Sequence, residues 1–537
     1  MITRKPQPHT HAPLSGRRAD SSSRFDLFRR RRVRLAICLV LAGLLSTLLL
    51  LPRGPPTAAA RRTKDPACSG WDPLAAPSLD PPRCARARQL RQLQRFLDDP
   101  GWKYDAETVA ALRRVERCVL GLSECPATPL IVSLYWFAYN GQRGGSAGEE
   151  VWMREVIDST EAEGFVVVTG HTRASLLHLV RRLSLSIHMV WFNENNALEC
   201  VSNPRCIRSE DYVEAADTFL RHEIAGIAPE EMGTLPLWKV FVTTYWGSRP
   251  SNADRPGFKM HRDWDVPETG GDEVWAFQPL GRRWQITPYP YPGHTWVPVS
   301  MERECLATPA PKTRTRRVVI LGKRASYFQS RYAGVRWDVV QRRLGAADIE
   351  LVAAMETDNA TVPAGISNVG QLDQGAYSRL LSRSAALIGI GAPLISPGPY
   401  FALCRGVPVV MPLHQHDVPS SAGWDVYDEG HAQHGPVSAL REPYVYAYHP
   451  NDSEGLALQV IQAVDHPIKP YVPPGYGAED VEARVRAMLH YDYEGEYAAI
   501  VKANGGGVPG VPHYMLQKCW DWGDCFWGSY TQAYRGD

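Results

Sequence analysis

The sequence predicts an α/β fold in which two Rossmann-like domains face a cleft, preceded by one transmembrane helix and a stem. Three observations indicate it: an uncharged apolar run near the N-terminus, two blocks in which short apolar runs alternate with helical stretches, and a Pro-rich basic segment between the blocks. Such alternation is typical of parallel βαβ units. Since open parallel sheets bind ligands at the carboxyl ends of their strands, we expect a binding site in the cleft.

The apolar run covers residues 35–51, LAICLVLAGLLSTLLLL, and follows four consecutive arginines at 29–32. About 17 apolar residues are enough to cross a thin bilayer. Positive flanks stay in the cytoplasm, so we expect a cytoplasmic arm over residues 1–34, a signal anchor over 35–51 and a lumenal C-terminus. The alternative is a cleaved signal peptide, for which the alanines at 58–60 leave a site open.

Composition agrees with a folded lumenal body. The chain is 44% apolar and 22% charged with a formal net charge of +2, so there is no basic surplus for nucleic acid. No C-x-x-C pair occurs, which argues against structural zinc. Cysteines close in sequence make short-loop disulfides plausible, and two sequons predict a glycoprotein. The cysteine pairs are Cys118 with Cys125, Cys200 with Cys206 and Cys519 with Cys525, and the sequons begin at Asn359 and Asn451.

The lead-in and the first domain follow the anchor. Residues 52–127 form a stem, rich in Pro, Ala and Arg up to about 83, and a helical lead-in whose apolar residues recur at three and four over 88–97 and 107–120. We expect these helices to pack on the main body. The first domain, 128–305, is predicted to contain the strands LIVSLYWF from 130, FVVVT from 165 and IHMVWF from 187, and a helix over about 148–162.

The second domain, 317–505, begins after a linker at 306–316, LATPAPKTRTR. Its predicted strands cover 317–322, 349–355, 385–391 and 407–411, and its predicted helices cover 337–344 and 377–384. A Cys- and Trp-rich tail, 506–537, completes the chain.

The stretch at 389–406, GIGAPLISPGPYFALCRG, carries the most information. It leads from a buried strand through a Gly/Pro loop into a short helix, with Pro399 near the first turn and Ser396 or Gly398 as the cap. Backbone N–H groups at a helix start suit phosphate oxygens. An ordinary strand-to-helix turn explains the same residues equally well.

This stretch resembles the donor loop of glycosyltransferase family 18, the N-acetylglucosaminyltransferase V family, whose pattern runs GFGFPYEGPAPLEAIANG. Three further stretches resemble family segments in the same order: GGSAGEEVW at 144–152, GKRAS at 322–326, and 441–476 with its PYVPPGY. Together they cover roughly residues 129–500. The chain is therefore identified as a divergent member of this family.

The resemblance implies a fold of the GT-B type and an inverting transferase. It implies transfer of N-acetylglucosamine from UDP-N-acetylglucosamine to the 6-hydroxyl of an α-linked mannose on N-glycans, with no metal and no other cofactor. The expected partners are a nucleotide sugar, the N-glycans of glycoprotein acceptors and a membrane, contacted through the N-terminal helix. The expected location is the Golgi membrane, as a single-pass type II protein with a lumenal catalytic domain.

By position, the second domain is expected to bind the donor. Lys323 and Arg324 directly follow a strand and are expected to reach the diphosphate, with a loop beneath it. A solvated strand end is the alternative for these two cations. The loop residues are Gly391, Pro397, Gly398, Pro399 and Tyr400. Glu149, Trp246 and Arg249 are predicted to lie at the acceptor or in the cleft.

The chain also departs from the family pattern. The two glutamates of the family's donor loop are replaced by Ile395 and Phe401. The segment VTTYWGSRP at 242–250 resembles VIDTFGTEP, whose glutamate is the presumed general base, yet Arg249 stands there. An arginine cannot accept a proton at neutral pH.

Asp254 is the predicted replacement for that base, although a turn role suits it as well. Asp263 and Asp265 spell a D-x-D triplet, but its setting does not favour a metal site. Nearby aromatic residues suit either sugar stacking or core packing. Two functions therefore stay open: an active transferase, including a relative with another donor or acceptor, and an inactive relative that binds glycans or a partner.

Overall fold

The computed structural model describes residues 82–509 except 102, 146, 171–172, 202–203, 212–231, 246–277, 289–292, 301, 308–310, 312, 330–333, 359, 392–395, 413–436, 438–439 and 450. No helix in this part of the chain has the length and apolar character needed to cross a membrane. The predicted anchor at 35–51, the tail and Cys519 with Cys525 lie outside the described residues, as does Asn359. Asn451 is exposed.

The lead-in forms two helices, α1 (Pro82–Asp98) and α2 (Ala106–Val119). The Asp105 side chain caps α2 by accepting a 2.7 Å hydrogen bond from the Thr108 N–H. Leu93 on α1 and Leu112 on α2 are fully buried in the same core as the first sheet. The prediction that these helices pack on the main body is confirmed.

The first sheet has six parallel strands in the order β2-β1-β3-β4-β5-β6. The strands are β1 (Leu130–Ser133), β2 (Val166–Thr169), β3 (Ile187–Phe192), β4 (Val240–Thr243), β5 (Gln285–Thr287) and β6 (Thr295–Trp296). The intervening helices are α3 (Trp136–Gln142), α4 (Gly148–Ala162), α5 (Arg173–Arg182), α6 (Glu194–Val201) and α7 (Glu302–Ala307). Its central strands are apolar without alternation because both faces are covered.

The second sheet also has six parallel strands, in the order β12-β11-β10-β7-β8-β9. The strands are β7 (Arg317–Leu321), β8 (Glu350–Ala353), β9 (Ser367–Asn368), β10 (Ala386–Gly389), β11 (Val409–Pro412) and β12 (Val445–Tyr448). The helices are α8 (Trp337–Ala346), α9 (Gln374–Ser382), α10 (Gly398–Cys404) and α11 (Ser453–Asp465). Both sheets lie within one unit of the chain, residues 80–537.

The second sheet separates two apolar cores. Along β7, Val319 and Leu321 face a core shared with the first sheet, whereas Val318 and Ile320 face a core closed by α8 and α11. Successive side chains of a strand point to opposite faces, so a continuous apolar run serves both cores.

Helices α12 (Ala478–Leu489) and α13 (Tyr493–Ala503) follow the second sheet in sequence but pack on the first. The rings of Tyr493 and Phe241 meet edge-on at 4.7 Å, and the Tyr497 hydroxyl donates to Asp211. These two helices lie within the predicted second domain, 317–505, yet they join the core of the first sheet. The apolar faces of these helices are covered by strands from the first block instead.

One predicted strand is wrong in its second half. The run LIVSLYWF leaves the sheet after Ser133 and turns into α3, although its aromatic residues favour a strand. Of the predicted linker, residues 306 and 307 belong to α7. By contrast, the helix at 148–162 and the strand beginning at 187 have the predicted bounds.

Three disulfides join described cysteines. Cys118–Cys125 and Cys200–Cys206 match the predicted short loops. Cys305–Cys404 was not predicted; its partners are 99 residues apart and it joins α7 to α10.

Candidate functional site

A cavity of about 360 Å³ lies at the carboxyl ends of β7 and β8, between the second sheet and the first turn of α4. Ala147, Gly148, Glu150 and Val151 line it from the first domain. The second domain contributes the segment after β7, the segment before α9, and the start of α10. The cavity therefore lies where the sequence placed the cleft.

Lys323 and Arg324 lie at this cavity on a loop that is held by its own backbone. The Glu356 N–H donates to the Lys323 carbonyl at 3.0 Å, and the Ala325 N–H donates to the Glu356 carbonyl at 2.9 Å. One residue further on, the hydroxyl and N–H of Ser326 bond Asp358, which, with the nearby Arg324 guanidinium, lowers the pKa of that carboxyl. Both cations are exposed, and neither forms an ion pair with a carboxylate of the described residues. Their charges face the cavity.

The loop from β10 to α10 forms the opposite wall. The N-cap of α10 is Pro397 rather than the predicted Ser396 or Gly398, and the Ser396 hydroxyl accepts a 3.1 Å hydrogen bond from the Gly398 N–H at the start of the helix. Ser396, Pro397 and Gly398 line the cavity. A Cβ on Gly398 would lie 2.9 Å from Leu321 Cδ1, so a larger residue there would require the Leu321 side chain to move.

Three predicted donor-binding residues do not line the cavity. Gly391 lies two residues after β10 with φ of 84°, a conformation that favours glycine. Pro399 is buried in the first turn of α10. Tyr400 is buried and stacks on Tyr476 with ring centroids 4.7 Å apart, so its ring supports the loop from behind.

Phe401 forms part of the cavity wall. Its ring is 6% exposed and lies 5.0 Å from the buried Arg405 guanidinium. An apolar ring therefore occupies the position at which the family pattern has a glutamate. Ile395, the other such position, lies outside the described residues.

The first domain meets this loop at Gly148. A Cβ there would lie 2.5 Å from Pro397 Cδ and 2.8 Å from Tyr245 Oη, so only glycine allows this approach. Glu150 lines the cavity, and its Oε2 accepts a 2.8 Å hydrogen bond from the Ala147 N–H. The predicted cleft residue Glu149 is buried at 9% exposure and does not line the cavity.

Sequence reasoning missed the polar residues that α9 brings to the cavity. Gln374 and Tyr377 line it, as do Gln371 and Glu356. The Tyr377 hydroxyl is buried without a hydrogen-bond partner among the described residues, and burial raises its pKa. The only sequence signal is the spacing of Gln374 and Tyr377 by one helical turn, which is common.

The predicted catalytic residue Asp254 lies outside the described residues, as do Trp246, Arg249, Asp263 and Asp265. Within the described part of the chain, no group of three or more His, Cys, Asp or Glu side chains is arranged to hold a metal ion.

Residues 287–497 match the family model described as glycosyltransferase family 18. No curated protein matches the chain.

Solved structures give low-identity matches. The S. aureus MnaA–UDP structure is 9% identical, with 65% of this chain and 93% of that chain covered and a TM-score of 0.32. A putative UDP-N-acetylglucosamine 2-epimerase from Listeria monocytogenes is 11% identical, with 72% and 99% covered and a TM-score of 0.34. WaaG, a glycosyltransferase involved in lipopolysaccharide biosynthesis, is 11% identical, with 70% and 100% covered and a TM-score of 0.28.

Proposed function

We propose that the chain, whose residues 287–497 match the family model described as glycosyltransferase family 18, transfers N-acetylglucosamine from UDP-N-acetylglucosamine in β1,6 linkage to α-mannose of N-glycans. The observation that carries the proposal is the cavity between the two domains. It has two exposed cations on one side, a Gly/Pro loop on the other and the polar side chains of α9 at the end.

Such a cavity suits a nucleotide diphosphate sugar. Lys323 and Arg324 supply positive charge for the diphosphate, and hydrogen bonds between charged partners are about twice as strong as neutral ones. Gln371, Gln374 and Tyr377 supply donors and acceptors for the base or the sugar. Gly148 places the first domain, where the acceptor would bind, directly against the donor loop.

The proposed chemistry is a single inverting displacement. The acceptor 6-hydroxyl attacks the anomeric carbon of N-acetylglucosamine while a carboxylate takes its proton. The bond from that carbon to the diphosphate oxygen breaks with inversion, and UDP leaves with the electron pair. Lys323 and Arg324 stabilise the charge that develops on the diphosphate, so the proposed reaction needs no metal.

Asp254 remains our proposed general base. A positioned base contributes on the order of a hundredfold to ten-thousandfold in rate. The Golgi membrane location, the type II orientation through residues 35–51, and glycoprotein acceptors belong to the same proposal.

The second candidate is an inactive relative that binds glycans or a partner enzyme. The Phe401 ring favours it, because the cavity wall lacks the carboxylate that the family pattern places there. A relative that uses another sugar donor would fit the same observation.

Calorimetric titration of the full-length protein with UDP, combined with a transfer assay, distinguishes these candidates. We expect UDP to bind, UDP-N-acetylglucosamine to be the productive donor with a biantennary N-glycan, and EDTA to have no effect. Lys323→Ala should weaken UDP binding by about tenfold, the loss of roughly one charge-assisted hydrogen bond.

The matched control is Lys469→Ala, which removes an exposed lysine outside the cavity and should leave UDP affinity unchanged. UDP binding without transfer from any donor would favour the inactive relative. No UDP binding at all would rule out the proposed enzyme.

A further inference from the structure

Helix α3 presents an aromatic surface that the proposed donor site does not use. Trp136 is 51% exposed and is the one tryptophan among the exposed large hydrophobic side chains of the described residues. By contrast, Trp152, Trp191 and Trp284 in the same domain are fully buried. A large ring left in solvent costs free energy, about 25 cal/mol per Å² of apolar surface.

The exposed ring is held rigidly. Trp136 stacks on Tyr139 with centroids 5.9 Å apart and an interplanar angle of 24°. The Arg143 guanidinium lies 3.7 Å from the Tyr139 ring centroid and forms ion pairs with Glu107 at 2.5 Å and with Asp105 at 3.4 Å. Because Tyr139 and Arg143 hold the Trp136 ring in place, the ring loses little conformational entropy when a ligand packs on it.

The surroundings of Trp136 are polar. Asn140 lies four residues further along α3, on the same face of the helix, and its side-chain amide makes no hydrogen bond to a described residue. An amide both donates and accepts hydrogen bonds. One exposed ring flanked by an amide and ion pairs differs from the broad apolar patch that a protein partner or a membrane requires.

Helix α3 also lies beside the donor cavity. It begins directly after β1, at the carboxyl edge of the first sheet, and its last turn packs on the first turn of α4. A Cβ on Gly141 would lie 2.5 Å from the Glu150 carbonyl oxygen, and Glu150 lines the cavity. Trp136 is five residues before Gly141, about 8 Å along the helix axis. That distance is within reach of an oligosaccharide whose reacting end is at the cavity.

We propose that Trp136, backed by Tyr139 and flanked by Asn140, is a carbohydrate subsite on which a pyranose ring of the acceptor glycan stacks. The C–H face of a pyranose is weakly positive and packs on the negative face of an indole ring. The Asn140 amide is placed to bond the ring hydroxyls at the edge. This inference rests on the proposed function, since it assigns the acceptor side of the same site.

The test is calorimetric titration of the full-length protein, saturated with UDP, with a biantennary N-glycan that carries α-mannose. Trp136→Ala should weaken glycan binding by about tenfold, the usual effect of removing one aromatic anchor. Trp136→Phe keeps a ring and should lose less, and Asn140→Ala should lose affinity without any change in the aromatic surface. UDP affinity should be unchanged in all three variants.

Tyr491→Ala is the matched control, because Tyr491 is 41% exposed and has the Arg283 guanidinium 4.7 Å from its ring centroid. Its glycan affinity should equal that of the unmodified protein. If UDP binds but Trp136→Ala and Asn140→Ala bind the glycan as the unmodified protein does, the subsite is overturned while the proposed function stands. Failure of the unmodified protein to bind UDP overturns the proposed function itself.

Discussion

At the scale of single residues, the Tyr377 hydroxyl stands out because it is buried at the cavity wall without a partner among the described residues. An unsatisfied buried hydroxyl costs about 1–3 kcal/mol. A bound ligand can supply the missing hydrogen bond, because Tyr377 lines the cavity. Tyr377 is therefore expected to bond the donor.

Tyr377→Phe separates stability from binding. We expect the unliganded variant to be as stable as the unmodified protein or more stable, because it removes a desolvated hydroxyl without changing the shape of the ring. Affinity for UDP-N-acetylglucosamine should fall by about tenfold, the effect of one lost hydrogen bond. Urea unfolding and calorimetry measure the two quantities. Unchanged donor affinity would remove Tyr377 from the donor site.

The same residues show how far the sequence predicts the site. Lys323 and Arg324 were predictable because they directly follow a strand, and the carboxyl end of a parallel strand is where ligands bind. The position of Tyr377 was not predictable, because it depends on how α9 packs against α10. Gly391, Pro399 and Tyr400 share the loop motif, but they shape the loop from behind.

At the scale of secondary-structure elements, the site depends on the contact between α4 and the start of α10. Gly148 and Pro397 lie so close that a Cβ on Gly148 would be 2.5 Å from Pro397 Cδ. We expect Gly148→Ala to lower the free energy of unfolding by about 1–3 kcal/mol through overpacking. We also expect it to weaken UDP binding, because the loop must shift.

Gly345→Ala is the control for that substitution. Gly345 lies in α8 with no atom within 4 Å of the added Cβ, so the change should stabilise the protein by about 0.5–1 kcal/mol through helix propensity. Urea unfolding compares the two variants. A neutral Gly148→Ala would mean that the two elements do not touch in solution.

Element boundaries were predictable where a helical period is clear or where polar residues flank a short apolar run. The predicted bounds of α4 and the start of β3 are those observed. Helix α3 was missed because the aromatic residues of LYWFAY favour a strand, and its helical state depends on packing against α4. In this helix the Trp136 side chain is exposed.

At the scale of the whole molecule, helices α12 and α13 follow the second sheet in sequence but pack on the first sheet. Sequence order alone predicts that these helices belong to the second domain, because the local sequence does not indicate which sheet covers their apolar faces. Long-range contacts hold α12 on the first sheet. In one of them, Nε2 of His188 on β3 lies 2.9 Å from the Leu489 carbonyl oxygen at the end of α12.

His188 makes the packing of α12 on the first sheet sensitive to pH. Burial, with lesser effects of Lys239 and His490, lowers its pKa to about 4, and its Nδ1 lies 3.2 Å from the Thr128 hydroxyl. The neutral ring is favoured in the folded state, whereas the unfolded chain binds a proton near pH 6.5. The stabilisation is therefore complete above about pH 6.5 and is lost as the pH falls towards 4.

Between pH 7 and pH 5 this linkage should lower the free energy of unfolding by about 2 kcal/mol. His188→Gln cannot titrate, so the unmodified protein should lose about that much more than the variant when urea unfolding is measured at both pH values. His466→Gln, which removes an exposed histidine at the end of α11, should behave as the unmodified protein does. An identical pH dependence in His188→Gln would show that this histidine does not couple α12 to the first sheet. The stability lost on acidification would then come from other groups.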